Sequence, residues 1–370
     1  MKLVAVKNNL KEAISSVEKI SRENLSLPIL KNVLFEATDS KLKIITTNLE
    51  LAITCSVAGK IIEKGKLTIP VSIFSGIINN LQTERINLET KDNKLVVTTD
   101  NYEAEIQGTT AEDFPITPKI KDTSEYIEIK GNVLKTALTK VLVATQFSDL
   151  RPELNSIFFN FFENGLKLAA TDSFRLAEAT INKEQFNSSK KDRSSFLVPL
   201  RTVHEFVRVI KDEDIVKIYN DDSQVLFKTE QLELLSRLVE GNFPDYEAII
   251  PKKFITEVLV DRQEFTSALR LVGVFGTKNS EIKIRSKEGK KVLEISSADP
   301  AVGENKYLLP AKIQGKLDEI IFNWRYLMDA LKAVEGQEIF FGINKENEPA
   351  ELKQVGDSSY VYILKPVSSA

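Results

Sequence analysis

The chain has 370 residues, 42% hydrophobic and 28% charged, which excludes a disordered bulk state and is too long for one hydrophobic core. Lys+Arg 50 against Asp+Glu 53 leave a net charge of −3, which excludes a grip on nucleic acid over the whole surface but allows a local positive face. One cysteine, Cys55, and one histidine, His204, exclude an internal disulfide, a cysteine metal cluster and a His-rich zinc site.

The N-terminus turns polar after six residues, so no signal peptide is expected. No run approaches 18 apolar residues, so no membrane span is expected and a cytoplasmic protein is. From there Leu3-Val-Ala-Val predicts a short strand running into an amphipathic helix from Asn9-Leu-Lys-Glu-Ala-Ile14. Lys41-Leu-Lys-Ile-Ile and Leu51-Ala-Ile-Thr-Cys-Ser-Val read as strands, with Asp39-Ser40 as a turn. Thr68-Ile-Pro70 then starts a second helix from Val71 to Leu81, and Leu95-Val-Val-Thr-Thr follows the Asp92-Asn93 turn.

The same order recurs twice. Ile127-Glu-Ile leads into Asn132-Val-Leu-Lys-Thr-Ala-Leu138, and Leu197-Val-Pro199 into Leu200 to Ile210. Val258-Leu-Val leads into Gln263-Glu-Phe-Thr-Ser-Ala-Leu269, and Ile321-Phe-Asn323 into Trp324 to Val334. Ala13, Ala137 and Ala268 recur at offsets of 124 and 131 residues, and Pro70, Pro199 and Asn323 at 129 and 124. A repeat of this length means repeated domains. Three similar α+β domains are predicted, 1–122, 123–254 and 255–370, each with two helices packed on antiparallel sheets. Asn164-Gly165, Asp221-Asp222-Ser223 and Glu288-Gly289 mark further hairpin turns.

No catalytic constellation is found. Gly65-Lys66-Leu67-Thr68 lacks the upstream glycine of a phosphate loop and runs into a strand. His204 reads as a surface or partly buried helix residue, Asp221 and Asp222 as a solvated hairpin tip, and Cys55 as a small core residue. Two segments stand out. In Leu168-Ala-Ala-Thr-Asp-Ser-Phe-Arg-Leu-Ala177 the simplest reading is strand, turn, strand, with Asp172 making an Asx-turn and Arg175 solvating an edge. Gly241-Asn-Phe-Pro-Asp-Tyr246 is an aromatic turn near a domain boundary.

Thr171-Asp-Ser-Phe-Arg-Leu-Ala177, Gly241-Asn-Phe-Pro-Asp-Tyr246 and Ser26-Leu-Pro-Ile-Leu30 resemble the bacterial DNA polymerase III beta subunit family, the sliding clamps. Ala144-Thr-Gln-Phe147 with Asp149-Leu-Arg151, and Glu112-Asp-Phe-Pro115, match it too, in order along the chain. The resemblance implies a DNA clamp fold: a head-to-tail homodimeric ring of six similar domains with twelve helices lining the hole. Duplex DNA would pass through and be held by topology, with weak phosphate contacts and no base readout. Such a clamp is not an enzyme, needs no cofactor or metal, and tethers the polymerase III alpha subunit, the clamp loader and other clamp-binding-motif proteins.

Residue by residue, the resemblance implies a partner-peptide cleft walled by Arg151, Leu154, Thr171, Ser173, Phe174, Arg175, Leu176, Pro244, Ile249, Asn323, Tyr326, Val361, Leu364, Pro366 and Val367. DNA-facing charges on the six repeat helices and their flanking loops would be Lys11, Lys19, Arg22, Lys135, Lys140, Arg201, Arg208, Arg262, Arg270, Arg325 and Lys332. The dimer interface would join Ala104 and Ile106 to Val274 and Phe275.

The chain departs from the family at the cleft. The usual Thr-Asp-Gly-His-Arg-Leu reads Thr-Asp-Ser-Phe-Arg-Leu here, and the usual Met-Pro ending reads Lys365-Pro-Val-Ser368. A Lys stem can lie along an apolar wall with its charge in water, so a preference for more acidic peptides is expected. The alternative to a clamp is a three-domain peptide-binding adaptor that never encircles DNA. An intersubunit hydrolase or transferase would need a nucleophile–base pair, and none is evident.

Overall fold

The computed structural model describes residues 1–21, 27–147, 151–189, 193–276, 280–287 and 291–367. Its six α-helices are α1 (Lys7–Ser21), α2 (Val71–Asn80), α3 (Gly131–Leu142), α4 (Leu200–Val209), α5 (Arg262–Gly273) and α6 (Trp324–Ala333). Each follows a strand without a loop, as at Lys2–Val6 before α1 and Ser194–Pro199 before α4. In the third repeat the junction is capped by side chains. Asp261 accepts from the Glu264 amide and Asn323 from the Arg325 amide, satisfying donors that a helix start leaves orphaned. Apolar spacing then buries one face: Leu10, Ala13, Ile14, Val17 and Ile20 in α1, and Phe265, Ala268, Leu269 and Val272 in α5.

By internal contacts the chain forms two compact units, and the middle repeat is shared between them. Unit 1 comprises Met1–Asn132, Phe186–Lys191 and Arg201–Leu238; unit 2 comprises Val133–Gln185, Asp192–Leu200 and Val239–Ala370. The sharing follows from strand pairing. In unit 1 the strand Leu232–Arg237 of the middle repeat pairs with Leu51–Glu63 of the first, within one 13-stranded antiparallel sheet. In unit 2 the strand Arg175–Asn182 of the middle repeat pairs with Tyr360–Leu364 of the third, within a nine-stranded sheet. A four-stranded sheet completes unit 2.

The repeat reaches single hydrogen bonds. The Thr47 hydroxyl donates to the Leu51 carbonyl at 3.0 Å and accepts from the Leu49 amide, while Asn48 accepts from the Glu50 and Leu51 amides. At the matching turn the Thr171 hydroxyl donates to the Arg175 carbonyl at 2.7 Å and accepts from the Ser173 amide, while Asp172 accepts from the Phe174 and Arg175 amides. Leu49 and Ser173 hold the same left-handed backbone, φ 76° and 78°. Such a φ explains why the resembled family usually carries glycine where Ser173 stands.

Candidate functional site

The site grows from the Thr171–Arg175 turn of unit 2. Leu176 pairs across the sheet with Ile363, and Arg175 with Leu364. Leu176 and Ile363 pack with Ala169 and Tyr246 in a buried cluster flanked by Phe158, Phe243, Ile250 and Val361. Phe158 and Phe243 stack with ring centroids 5.0 Å apart. The Tyr246 hydroxyl donates to Glu178, and burial followed by that carboxylate pushes the hydroxyl well above its ordinary pKa. Beyond the last strand the backbone is pinned at two points. The Lys365 amide donates to the Phe174 carbonyl at 2.9 Å, and the Val367 amide to the Ile321 carbonyl at 2.8 Å.

Arg175 does not solvate a sheet edge, as the simplest sequence reading had it. Its side chain is 9% exposed; Nε donates to Asp172 at 2.9 Å and Nη1 to Asp329 of α6 at 2.7 Å. Nη2 reaches the Thr145 carbonyl at 3.3 Å, and the guanidinium carbon stands 4.2 Å from the centre of the Tyr326 ring. Burial, then Asp172, raises the Tyr326 hydroxyl. The arrangement presents a rigid aromatic plane and a fixed cation beside Phe174, which is 59% exposed.

Of the expected cleft residues, Arg151, Ser173, Phe174, Pro244 and Ile249 are exposed, and Arg175, Asn323, Tyr326, Val361, Pro366 and Val367 half-buried. Arg151 donates to the Ser173 hydroxyl at 3.3 Å. Leu154, Thr171, Leu176 and Leu364 are buried. Ser368 lies outside the described residues. Sequence reasoning did not assign Tyr246, Phe158, Phe243 or Asp329 to the site. The Phe-Pro-x-Tyr turn was the available signal for the aromatics, while Asp329 reaches Arg175 only through the fold.

The candidate DNA-facing charges divide by environment. Lys11, Lys19, Arg201, Arg270, Arg325 and Lys332 are exposed; Lys135, Lys140, Arg208 and Arg262 are half-buried; Arg22 lies outside the described residues. Arg208 is spent on Glu205 and on the carbonyls of Ser15 and Ser16, and Arg262 donates to the Gly336 carbonyl. Lys140 lies over the Tyr360 ring, Arg325 over Trp324, and Lys332 pairs with Asp329.

At the expected interface, Ile106 is 4% exposed and faces the core of its own unit, so Ala104, half-buried, is the one of that pair with surface to offer. Val274 is 71% exposed beside Leu271 at 56%. Phe275 is half-buried. The strand Glu103–Gln107 ends the 13-stranded sheet and Gly303–Pro310 ends the four-stranded one. Among the described residues no three His, Cys, Asp or Glu side chains group to hold a metal, and no helix is long and apolar enough to cross a membrane.

A strand–helix unit repeated three times on antiparallel sheets defines a multi-domain α+β protein, and the Arg175–Tyr326 pair lies beside exposed Phe174. Three family models match in order: the N-terminal domain of the DNA polymerase III beta subunit at residues 1–118, its central domain at 128–245 and its C-terminal domain at 247–368. The chain belongs to that family. It is 29% identical to the beta sliding clamp of Staphylococcus aureus over 311 residues, 82% of this chain and 80% of that protein. It is 27% identical to the beta sliding clamp of Synechococcus elongatus across 99% of both chains. The solved Bacillus subtilis DNA polymerase sliding clamp superposes over 100% of both chains with a TM-score of 0.93 and 25% identity. The Thermotoga maritima DNA polymerase III beta subunit does so at 0.90 and 27%.

Proposed function

We propose that this chain is a replicative sliding clamp, a processivity factor that carries out no reaction and needs no cofactor. Two copies close head to tail into a ring around duplex DNA in the cytoplasm. The ring tethers the polymerase III alpha subunit, the clamp loader and other clamp-binding-motif proteins. The observation that carries the reading is the ordered match of all three family domains across the three repeats. We set the domain boundaries near residues 122 and 254, between the strand–helix repeats.

Closure requires a heterologous contact that completes a ring. The open strand edges at Glu103–Gln107 and Gly303–Pro310 suit such a contact, with exposed Val274 and Leu271 beside it. A closed ring needs only weak phosphate contacts, which agrees with a net charge of −3. Partner peptides dock on Phe174, Arg175 and Tyr326, apolar anchors entering beside Phe174 while Arg175 and Arg151 orient the chain. Exposed Lys365 favours acidic motifs there; Lys365→Met should erase the advantage of an acidic over a neutral peptide, and equal ranking on the unmodified protein would contradict it.

The deciding experiment is retention on DNA after loading by a matched clamp loader and ATP, on nicked circles and on the same molecules linearised. Slow loss from circles and rapid loss from free ends is expected. Equal loss from both would mean ordinary electrostatic binding and overturn encirclement.

A further inference from the structure

The duplicated turn sets unit 1 and unit 2 in one register, and the comparison exposes a difference beneath the two inter-repeat segments. In unit 2, Lys167 pairs with Glu247 at 2.7 Å and Glu178 at 3.5 Å, and Tyr246 is buried over Ala169 and Leu176. Carrying the turn's register into unit 1 puts Lys43 at the place of Lys167, Ile45 at Ala169, Ala52 at Leu176 and Thr54 at Glu178. Matching Phe114-Pro115 to Phe243-Pro244 puts Thr117 at Tyr246 and Pro118 at Glu247. The aromatic ring and both carboxylates are therefore missing from unit 1.

A cavity of about 340 Å³ lies there, lined by these unit 1 residues. Its volume is that of a small ligand site. Ile45, Ala52, Leu226 and Leu235 give it apolar walls, and Ile120 packs against Leu235 at its edge. Two acids line it, but Glu36 is held by Lys66 and Glu233 by Lys228, each at 2.7 Å. Lys43 and Lys119 also line it; Lys43 stands opposite Glu36 across the sheet, but the Glu36 carboxylate is bonded to Lys66. The cavity thus pairs apolar walls with a surplus of positive charge, Lys43, Lys119 and Lys228 against Glu36 and Glu233.

We propose that this cavity binds an acidic–aromatic peptide segment. An aromatic side chain takes the space that Tyr246 fills in unit 2, and an adjacent carboxylate pairs with Lys43 as Glu247 pairs with Lys167. The chain supplies its own probe, a synthetic peptide with the sequence of residues 242–247, Asn-Phe-Pro-Asp-Tyr-Glu. Calorimetric titration into the full-length protein should show saturable binding. Lys43→Gln should weaken it by about tenfold or more, as should a peptide with Asn and Gln in place of its acids. Thr117→Tyr, which refills the space from within, should abolish it and leave the thermal midpoint unchanged or higher; Lys43→Gln guards against misfolding of that variant. Absence of binding overturns the proposal. So does binding that survives Lys43→Gln and Thr117→Tyr but falls with Phe174→Ala, which would seat the peptide at the other site.

Discussion

The Arg175 guanidinium lies over the Tyr326 ring, its central carbon 4.2 Å from the centroid. The contact joins a turn of the middle repeat to the second helix of the third. Asp172 and Asp329 hold the cation in that plane from two directions. Arg175→Ala would leave Asp172 without its cation and Asp329 with Lys332 alone, and would lose the stacking. The expected cost is about 2–3 kcal/mol, read by urea denaturation, with loss of clamp-motif peptide binding. Arg175→Lys keeps a charge but not the planar fork, so it should recover stability more than affinity.

Ser173 sits at φ 78° without being glycine. Ser173→Gly should stabilise the protein by about 0.5–1 kcal/mol, the relief of left-handed strain less the entropy glycine gains when unfolded. Leu49→Gly should act in the same direction, since Leu49 has φ 76° and is already 44% exposed. Thermal melts of both variants check this; a loss at either site would contradict it.

Burial pushes the Cys55 thiol from 9.0 up to about 12. The folded protein therefore holds that proton after the unfolded chain has released it. The associated stability is complete below pH 9 and drains away as pH rises toward 12, at up to about 1.4 kcal/mol per unit. The Tyr246, Tyr360 and Tyr362 hydroxyls, also raised by burial, add slope of the same sign. Cys55→Ala should flatten the alkaline limb of stability against pH. Native protein at pH 8 should resist alkylation until unfolded.

Val274→Asp should dissociate the proposed homodimer. It forfeits the burial of one Val side chain, about 1.5–3 kcal/mol, and places a charge in an apolar contact. Sedimentation velocity should show the dimer weakened by about tenfold or more. Phe275→Ala should shift the same equilibrium and also lower the thermal midpoint, because Phe275 is half-buried in its own unit.

Lys19 and Arg270 are exposed on α1 and α5. Neutralising both should shorten retention on circular DNA and flatten the salt dependence by about 0.9 for each phosphate no longer neutralised. Arg208→Ala should mainly destabilise unit 1, because that guanidinium is tied to Glu205 and to two α1 carbonyls.

What was legible in the sequence was local. Strand–helix units could be read because apolar spacing and the helix starts at Pro70, Pro199 and Asn323 act within a few residues. The Asx-turn at Asp172 was readable for the same reason. Asp329 was not, since it meets Arg175 across 154 positions, and no local pattern encodes such a pair. Arg208 and Arg270 look alike as helix charges, yet one is consumed by carbonyls 193 and 192 positions away. Ile106 is different. Glu103-Ala-Glu-Ile-Gln107 alternates strictly, so the period of a strand already put Ile106 on the inward face together with Ala104, which stays half-buried nearer the strand's start.

The paired turns at Thr47 and Thr171 keep their shape through bonds to backbone, made by a Thr and an Asx residue, and so make no demand on the side chains two and three places beyond the Asx residue. One copy carries Glu50 and Leu51 there, the other Phe174 and Arg175. The same scaffold can therefore carry an exposed aromatic in one copy while the other only closes a hairpin.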